Sequence, residues 1–305
     1  MSAPFAAIVL AGGIRPAPLS NELRRPPACL PIAHGVTLLE AWLEVLSGVD
    51  GCASVLIIVS RKQEADAIEA VLRETDGELR APVPIKVVVE PHRWRGTGGI
   101  VRDIATIATR GEDLVVLESA VLPPPDATRV IDDLRLGAGS VMGIDAARQP
   151  AGVYAFDASV LDVIPGIGFY DVKEQLIPAL HARGCAAHAV TIADRVLRIR
   201  DRAGYLDAVA AFSDARSDPV DPDWTCSGID SAAAIIGHCL IDSSAVIESG
   251  ALIDTSVILD NVTVRAGATV SRSIIGPGVE IDSGALIVDT VRTARVQSVS
   301  LAGIS

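Results

Sequence analysis

Two glycine-rich stretches mark where this chain could let a ligand approach its backbone, the first of them a phosphate. The first closes a short apolar run. Ala6-Ala7-Ile8-Val9-Leu10 reads as a buried parallel strand and runs straight into Ala11-Gly12-Gly13. Paired glycines after a strand let backbone N–H groups approach an anion closely, although a plain tight turn is the commoner use of such residues. The second stretch, Arg95-Gly96-Thr97-Gly98-Gly99, follows another apolar segment. There Thr97 is also suited to cap a helix.

These loops need a scaffold, and the pattern around them supplies one. Residues 38–46 and 63–73 have helical spacing, while 54–59 and 85–90 are strand-like. Strands alternating with helices imply right-handed βαβ units and a parallel sheet. Both glycine-rich loops then fall beyond the carboxyl ends of strands, where such sheets place ligands.

Composition narrows the class. Half of the 305 residues are apolar but only 3% are aromatic, which suits buried parallel strands and solenoids. The formal charge of -12 argues against nucleic acid and anionic membranes as partners. Cys29, Cys52, Cys185, Cys226 and Cys239 are scattered, without a CxxC pair. Buried reduced thiols in a cytoplasmic protein are expected, with no metal site. No basic segment with an apolar core opens the chain, and no apolar stretch is long enough to span a bilayer.

The opening LAGG, with Pro18-Leu19-Ser20 and Arg25-Pro26-Pro27-Ala28-Cys29-Leu30-Pro31-Ile32, resembles the sugar-1-phosphate nucleotidyltransferases, or NDP-sugar pyrophosphorylases. The resemblance implies a Rossmann-like α/β domain with a mostly parallel sheet. It implies nucleotide contacts at Leu10, Ala11, Gly12, Gly13, Arg15, Gly96 and Thr97, and sugar contacts at Gly152, Lys173 and Glu174. In the family two aspartates hold magnesium and a loop lysine faces the phosphates.

Here those groups are replaced. Aligned on the family pattern, the metal positions become Ala120 and Arg198, and the lysine becomes Pro27. The phosphate loop is shortened to Ile14, Arg15 and Pro16, and Pro16 has no N–H to offer. Arg15 is the one candidate for a retained catalytic role, with Arg24 or Arg25 as a partial stand-in for the lysine. Glu118 and Asp201 are carboxylates near the metal positions, whereas Arg198 would oppose a cation and suit a phosphate. Losing one such electrostatic contact costs on the order of a hundredfold in rate, so the combined losses predict no useful turnover. Magnesium is expected only if the protein is active. Lys173 and Glu174 stand in the reverse of the family order, and a solvated charge pair is the plainer reading of them.

A polar, proline-containing stretch at 213–222 reads as a linker. Beyond it Ile241, Ile247, Ile253 and Leu259 recur every six residues, as do Ile275, Ile281 and Ile287. Hexapeptide periodicity indicates a parallel β-helix, and its left-handed form caps many pyrophosphorylases. The expected organisation is a nucleotidyltransferase-like α/β domain over 1–212, a linker over 213–228 and a short left-handed β-helix over 229–305. Regulatory subunits of this family in GDP-mannose and ADP-glucose synthesis make a nucleotide or NDP-sugar sensor the leading expectation, as a homo-oligomer or beside an active paralogue. An active enzyme with relocated metal ligands, a scaffold of polysaccharide synthesis that binds no small molecule, and an acyltransferase using His238 are the alternatives.

Overall fold

The computed structural model describes residues 3–12, 17–75, 83–92, 94–108, 112–137, 139–215 and 228–294. The chain divides into two compact units, Met1–Arg200 and Asp201–Ser305.

In the first unit, strand β1 (Phe5–Leu10) leads through helix α1 (Pro18–Leu23) to a small hairpin of β2 (Pro31–Ala33) and β3 (Val36–Thr37). Then come α2 (Leu38–Ser47), β4 (Cys52–Val59), α3 (Lys62–Thr75), β5 (Ile85–Val89), α4 (Gly96–Ala108) and β6 (Asp113–Glu118). The unit continues with α5 (Ala127–Leu136), β7 (Ser140–Asp145), β8 (Pro150–Phe156), α6 (Ile177–Ala182) and β9 (Ala187–Ala193). One sheet runs β5-β4-β1-β6-β8-β7-β9. It is mixed: β8 runs against both β6 and β7, while the other neighbours pair in parallel.

Strand alternation divides the core. Phe5, Ala7 and Val9 face one layer with Trp42 and Ile68, whereas Ala6 and Ile8 face the other with Val101, Ile104 and Leu176. The reversal of β8 matters for the site. It brings the first residues of β8, Pro150 to Gly152, to the carboxyl end of β6.

The second unit begins with α7 (Arg202–Ala215). Asp201 starts this helix, its carboxylate accepting the Gly204 N–H at 2.9 Å. The rest coils as three stacked parallel sheets. Successive coils pair at an offset of seventeen residues, as in Leu240 with Val257 and Val257 with Ile274. A strict hexapeptide repeat would give eighteen. The inward stack is Ile241, Ile247, Ile253, Ile258, Val264, Val270, Ile275, Ile281 and Ile287, so every third step is five residues. The expected member Leu259 is buried but sits one place beyond the stacked Ile258.

The short step has a physical cause at one corner. Thr255, Arg272 and Asp289 turn the chain there with φ of 45°, 44° and 52°, a region side chains enter only under constraint. The fully buried Ser256 and Ser273 follow. Ser256 Oγ accepts the Ser273 N–H at 3.0 Å, and Ser273 Oγ accepts the Thr290 N–H at 3.2 Å. A hydroxyl thus satisfies the backbone group of the next coil. Ser256→Ala would leave the Ser273 N–H buried without that acceptor, a loss of about 1–3 kcal/mol. Urea denaturation of the variant checks this, and an unchanged midpoint would remove the ladder from the account.

Candidate functional site

At the carboxyl end of β6 the Glu118 carboxylate meets three side chains from distant parts of the sequence. Lys173 Nζ lies 3.0 Å from Oε1, the Tyr154 hydroxyl donates to Oε1 at 3.1 Å, and the Arg198 guanidinium donates to Oε2. Arg198 also donates to the Pro150 carbonyl. The backbone fixes these partners. Arg198 bridges Val121 in antiparallel pairing, Ile199 N–H donates to the Ala120 carbonyl at 2.8 Å, and Leu122 N–H donates to Leu197 at 2.9 Å. Ala120 and Arg198 are therefore neighbours in space. Ser119 and Ala120 form a turn rather than a continuation of the strand, so strand alternation does not govern where they face.

Burial pushes the Glu118 carboxyl up, but Lys173 and Arg198 together outweigh it and hold it below the usual carboxylate value. Burial and the Glu118 charge push the Tyr154 hydroxyl the other way, so it stays a neutral donor. One carboxylate engaged by two cations does not fit magnesium, which takes several oxygen ligands. Among the described residues no group of three or more His, Cys, Asp or Glu side chains is set to hold a metal. The Asp201 carboxylate caps α7.

Gly152 makes room for this cluster. Its φ is +72°, and a Cβ there would stand 3.0 Å from Glu118 Cβ. The glycines of the two candidate loops are explained in similar fashion. A Cβ on Gly12 would stand 2.4 Å from Ser60 N, and one on Gly96 2.7 Å from the Tyr170 carbonyl. The Ala11 N–H donates to Ile58 O at 2.8 Å, and the Leu10 carbonyl accepts the Ser119 N–H at 3.1 Å. These backbone groups are engaged within the sheet. Gly13, Arg15 and Pro16 lie outside the described residues. Arg24 is exposed, with φ 54° at the end of α1, and Pro27 opens a short 3-10 turn.

Thr97 does not cap its own helix. Its hydroxyl donates to Asp171 Oδ2 at 2.9 Å and accepts the Val172 N–H at 3.1 Å. Asp171 Oδ1 in turn accepts the N–H groups of Lys173 and Glu174 at 2.8 and 3.1 Å, starting a π turn over Val172–Leu176. This orients Lys173 inward, whereas Glu174 is exposed. Lys173 is thus not the solvated residue expected of it, and Glu174 is.

Arg95 is the other anchor. Its buried guanidinium holds Asp103 at 2.7 and 2.9 Å, donates to the Pro165 carbonyl at 2.9 Å and also to that of Gly168. Sequence reading gave the side chains of Arg95, Asp171 and Tyr154 no role of their own. The signals were present: Asp103 stands eight residues after Arg95, about two helical turns, and Asp171 has the residue type of a helix cap.

A cavity of about 420 Å³ opens at the other end of β6, lined by Asp113, Asp132, Arg135 and Asp157 among others. Its charges are engaged locally, as where Asp113 accepts the Ala158 N–H and Arg135 donates to Asp50 O. Cys29 is buried and its thiol pushed up to about 12 by that burial, while Cys185 is exposed, contrary to the expectation of uniformly buried thiols. In the coil unit His238 lies 3.5 Å from Asp214, both largely exposed. No helix among the described residues is long and apolar enough to cross a membrane.

Comparison with known proteins bears on the coil alone. The family described as GlmU-like, C-terminal hexapeptide, matches residues 222–305, and the seventeen-residue register fits a left-handed β-helix of hexapeptide repeats. No curated protein matches the chain.

Glu118→Gln should cost about 2–3 kcal/mol at pH 7, less than a fully buried pair because its partners are partly exposed. The lowered carboxyl value means the wild type's ion-pair stability is complete above the unfolded value near 4.5 and lost as pH falls through the folded one. The gap in urea midpoint between wild type and variant should therefore be smaller at pH 3 than at pH 7.

Proposed function

We propose that the N-terminal unit binds a nucleotide or NDP-sugar without carrying out pyrophosphorylase chemistry, and that the chain acts as a sensor or regulatory subunit assembled through its coil. The observation that carries this reading is the Glu118 cluster. Bringing a sugar phosphate up to a nucleoside triphosphate for transfer needs a divalent cation and free positive charge around it. Here Arg198 occupies that neighbourhood and is tied, with Lys173, to a single carboxylate. The cluster carries two cations against one anion, a surplus suited to receiving one phosphate group without metal.

A second reading has its own support. Gly12 and Gly96 are required by close approach of Ser60 and Tyr170, so their presence does not by itself call for a nucleotide. A scaffold that binds no small molecule would need them equally. His238 is paired at the surface with Asp214, which gives the acyltransferase reading no comparable support.

The deciding experiment pairs two assays on the full chain. Pyrophosphate release should be silent for all common nucleoside triphosphates against a panel of sugar-1-phosphates with magnesium. Calorimetry should show saturable binding of a nucleotide sugar, unchanged by EDTA and weakened roughly tenfold by Lys173→Ala, the loss of one charge-assisted contact. Steady turnover would overturn the reading, and absence of binding would favour the scaffold.

A further inference from the structure

In the free protein Glu118 already holds the donors that a phosphate would need. Its Oε1 takes Lys173 Nζ at 3.0 Å and the Tyr154 hydroxyl at 3.1 Å, and its Oε2 takes the Arg198 guanidinium. The match is incomplete. Arg198 gives Glu118 one nitrogen, Nη1, while Nη2 donates to the Pro150 carbonyl, so the paired bonds of a guanidinium–carboxylate fork are not made. The Lys173 and Arg198 side chains are 31% and 20% exposed, so solutes can reach both cations. On one side Gly152 leaves room beside the carboxyl, where a Cβ would stand 3.3 Å from Glu118 Cδ. A phosphate monoester or a diphosphate carries about two negative charges and more acceptor oxygens than a carboxylate. Three donors converge on one anion position, and Glu118 is the weaker of the anions that fit it.

We propose that Glu118 is a built-in competitor: its carboxylate fills the phosphate position, and a phosphoryl ligand binds by displacing it from Lys173, Arg198 and Tyr154. This rests on the reading that the cluster receives a phosphate, and adds what keeps the site closed and sets its affinity. Apparent affinity is lowered in proportion to the fraction of molecules in which Glu118 has swung away. Binding then changes the occupant at the end of β6 from side chain to ligand, a difference that a sensor can pass on.

Full-length wild type, Glu118→Gln and Glu118→Asp are titrated by calorimetry with inorganic phosphate, glucose-1-phosphate and a panel of nucleotide sugars. Gln removes the competing charge. Asp keeps the charge but is a methylene shorter, which separates occupancy from a general field effect. Glu118→Gln should bind phosphoryl ligands roughly tenfold more tightly than wild type, with Glu118→Asp between the two. Adding Lys173→Ala should abolish the gain. A crystal structure of the wild type with saturating inorganic phosphate tests the same point without any variant having to fold. Lys173 and Arg198 should bond the phosphate with Glu118 turned away, and Glu118 still on both cations would overturn the proposal. Equal or weaker binding by the variants would overturn it too, making Glu118 a residue that positions the cations. A gain with phosphate and glucose-1-phosphate but no binding of any nucleotide sugar overturns the nucleotide reading alone. If no ligand binds any of the three proteins, both readings fall.

Discussion

The ion pair between Glu118 and Arg198 is the constraint on which the N-terminal unit depends at the carboxyl end of β6. A half-buried carboxylate at a strand end must be matched by positive charge. Here the match draws together the end of β6, the start of β8, the π turn near 172 and the strand-like segment at 197–199. Each partner is placed by backbone pairing or by a cap before its side chain is counted. The cluster is therefore a consequence of the topology: β8 must run backwards to bring Pro150 and Gly152 beside Glu118.

The same region shows how one residue type can answer two demands. Glycine permits close approach, whether of a phosphate or of the protein's own chain. At Gly12 and Gly96 the neighbour is Ser60 or Tyr170, at distances no Cβ would accept. Thr97 with Asp171 forms one small lock between two segments 74 residues apart.

Much of the architecture was legible from periodicity. The apolar runs became β1, β4 and β5, and the helical spacing became α2 and α3, because each pattern reflects burial on one or two faces. The coil was legible too, apart from its short step. Six-residue spacing is read from apolar side chains, whereas the five-residue step is set by Thr255 and Ser256, whose effect is backbone geometry and hydrogen bonding. The site was less legible. Glu118, Lys173 and Arg198 could be singled out, but their union depends on strand order, which sequence spacing does not encode. Lys173 looked like half of a surface pair until Asp171 turned it inward. Arg95 looked like part of a glycine loop, and its role lies in the carbonyls it gathers from beyond residue 160.

The seventeen-residue coil also makes the second unit a ruler. The rungs from Thr255 onward repeat the same corner and ladder of hydroxyls, and the inward column runs on through them. Neighbouring strands in a sheet lie about 4.8 Å apart, so the length of this unit can change only in increments of that size. A single inserted residue must bulge out at a corner or throw every later rung out of phase, whereas a whole inserted rung leaves both neighbours with the partners they already had. Distance along the coil axis is thus quantised by the chain's own repeat, and anything fixed to its two ends is held apart by a whole number of rungs.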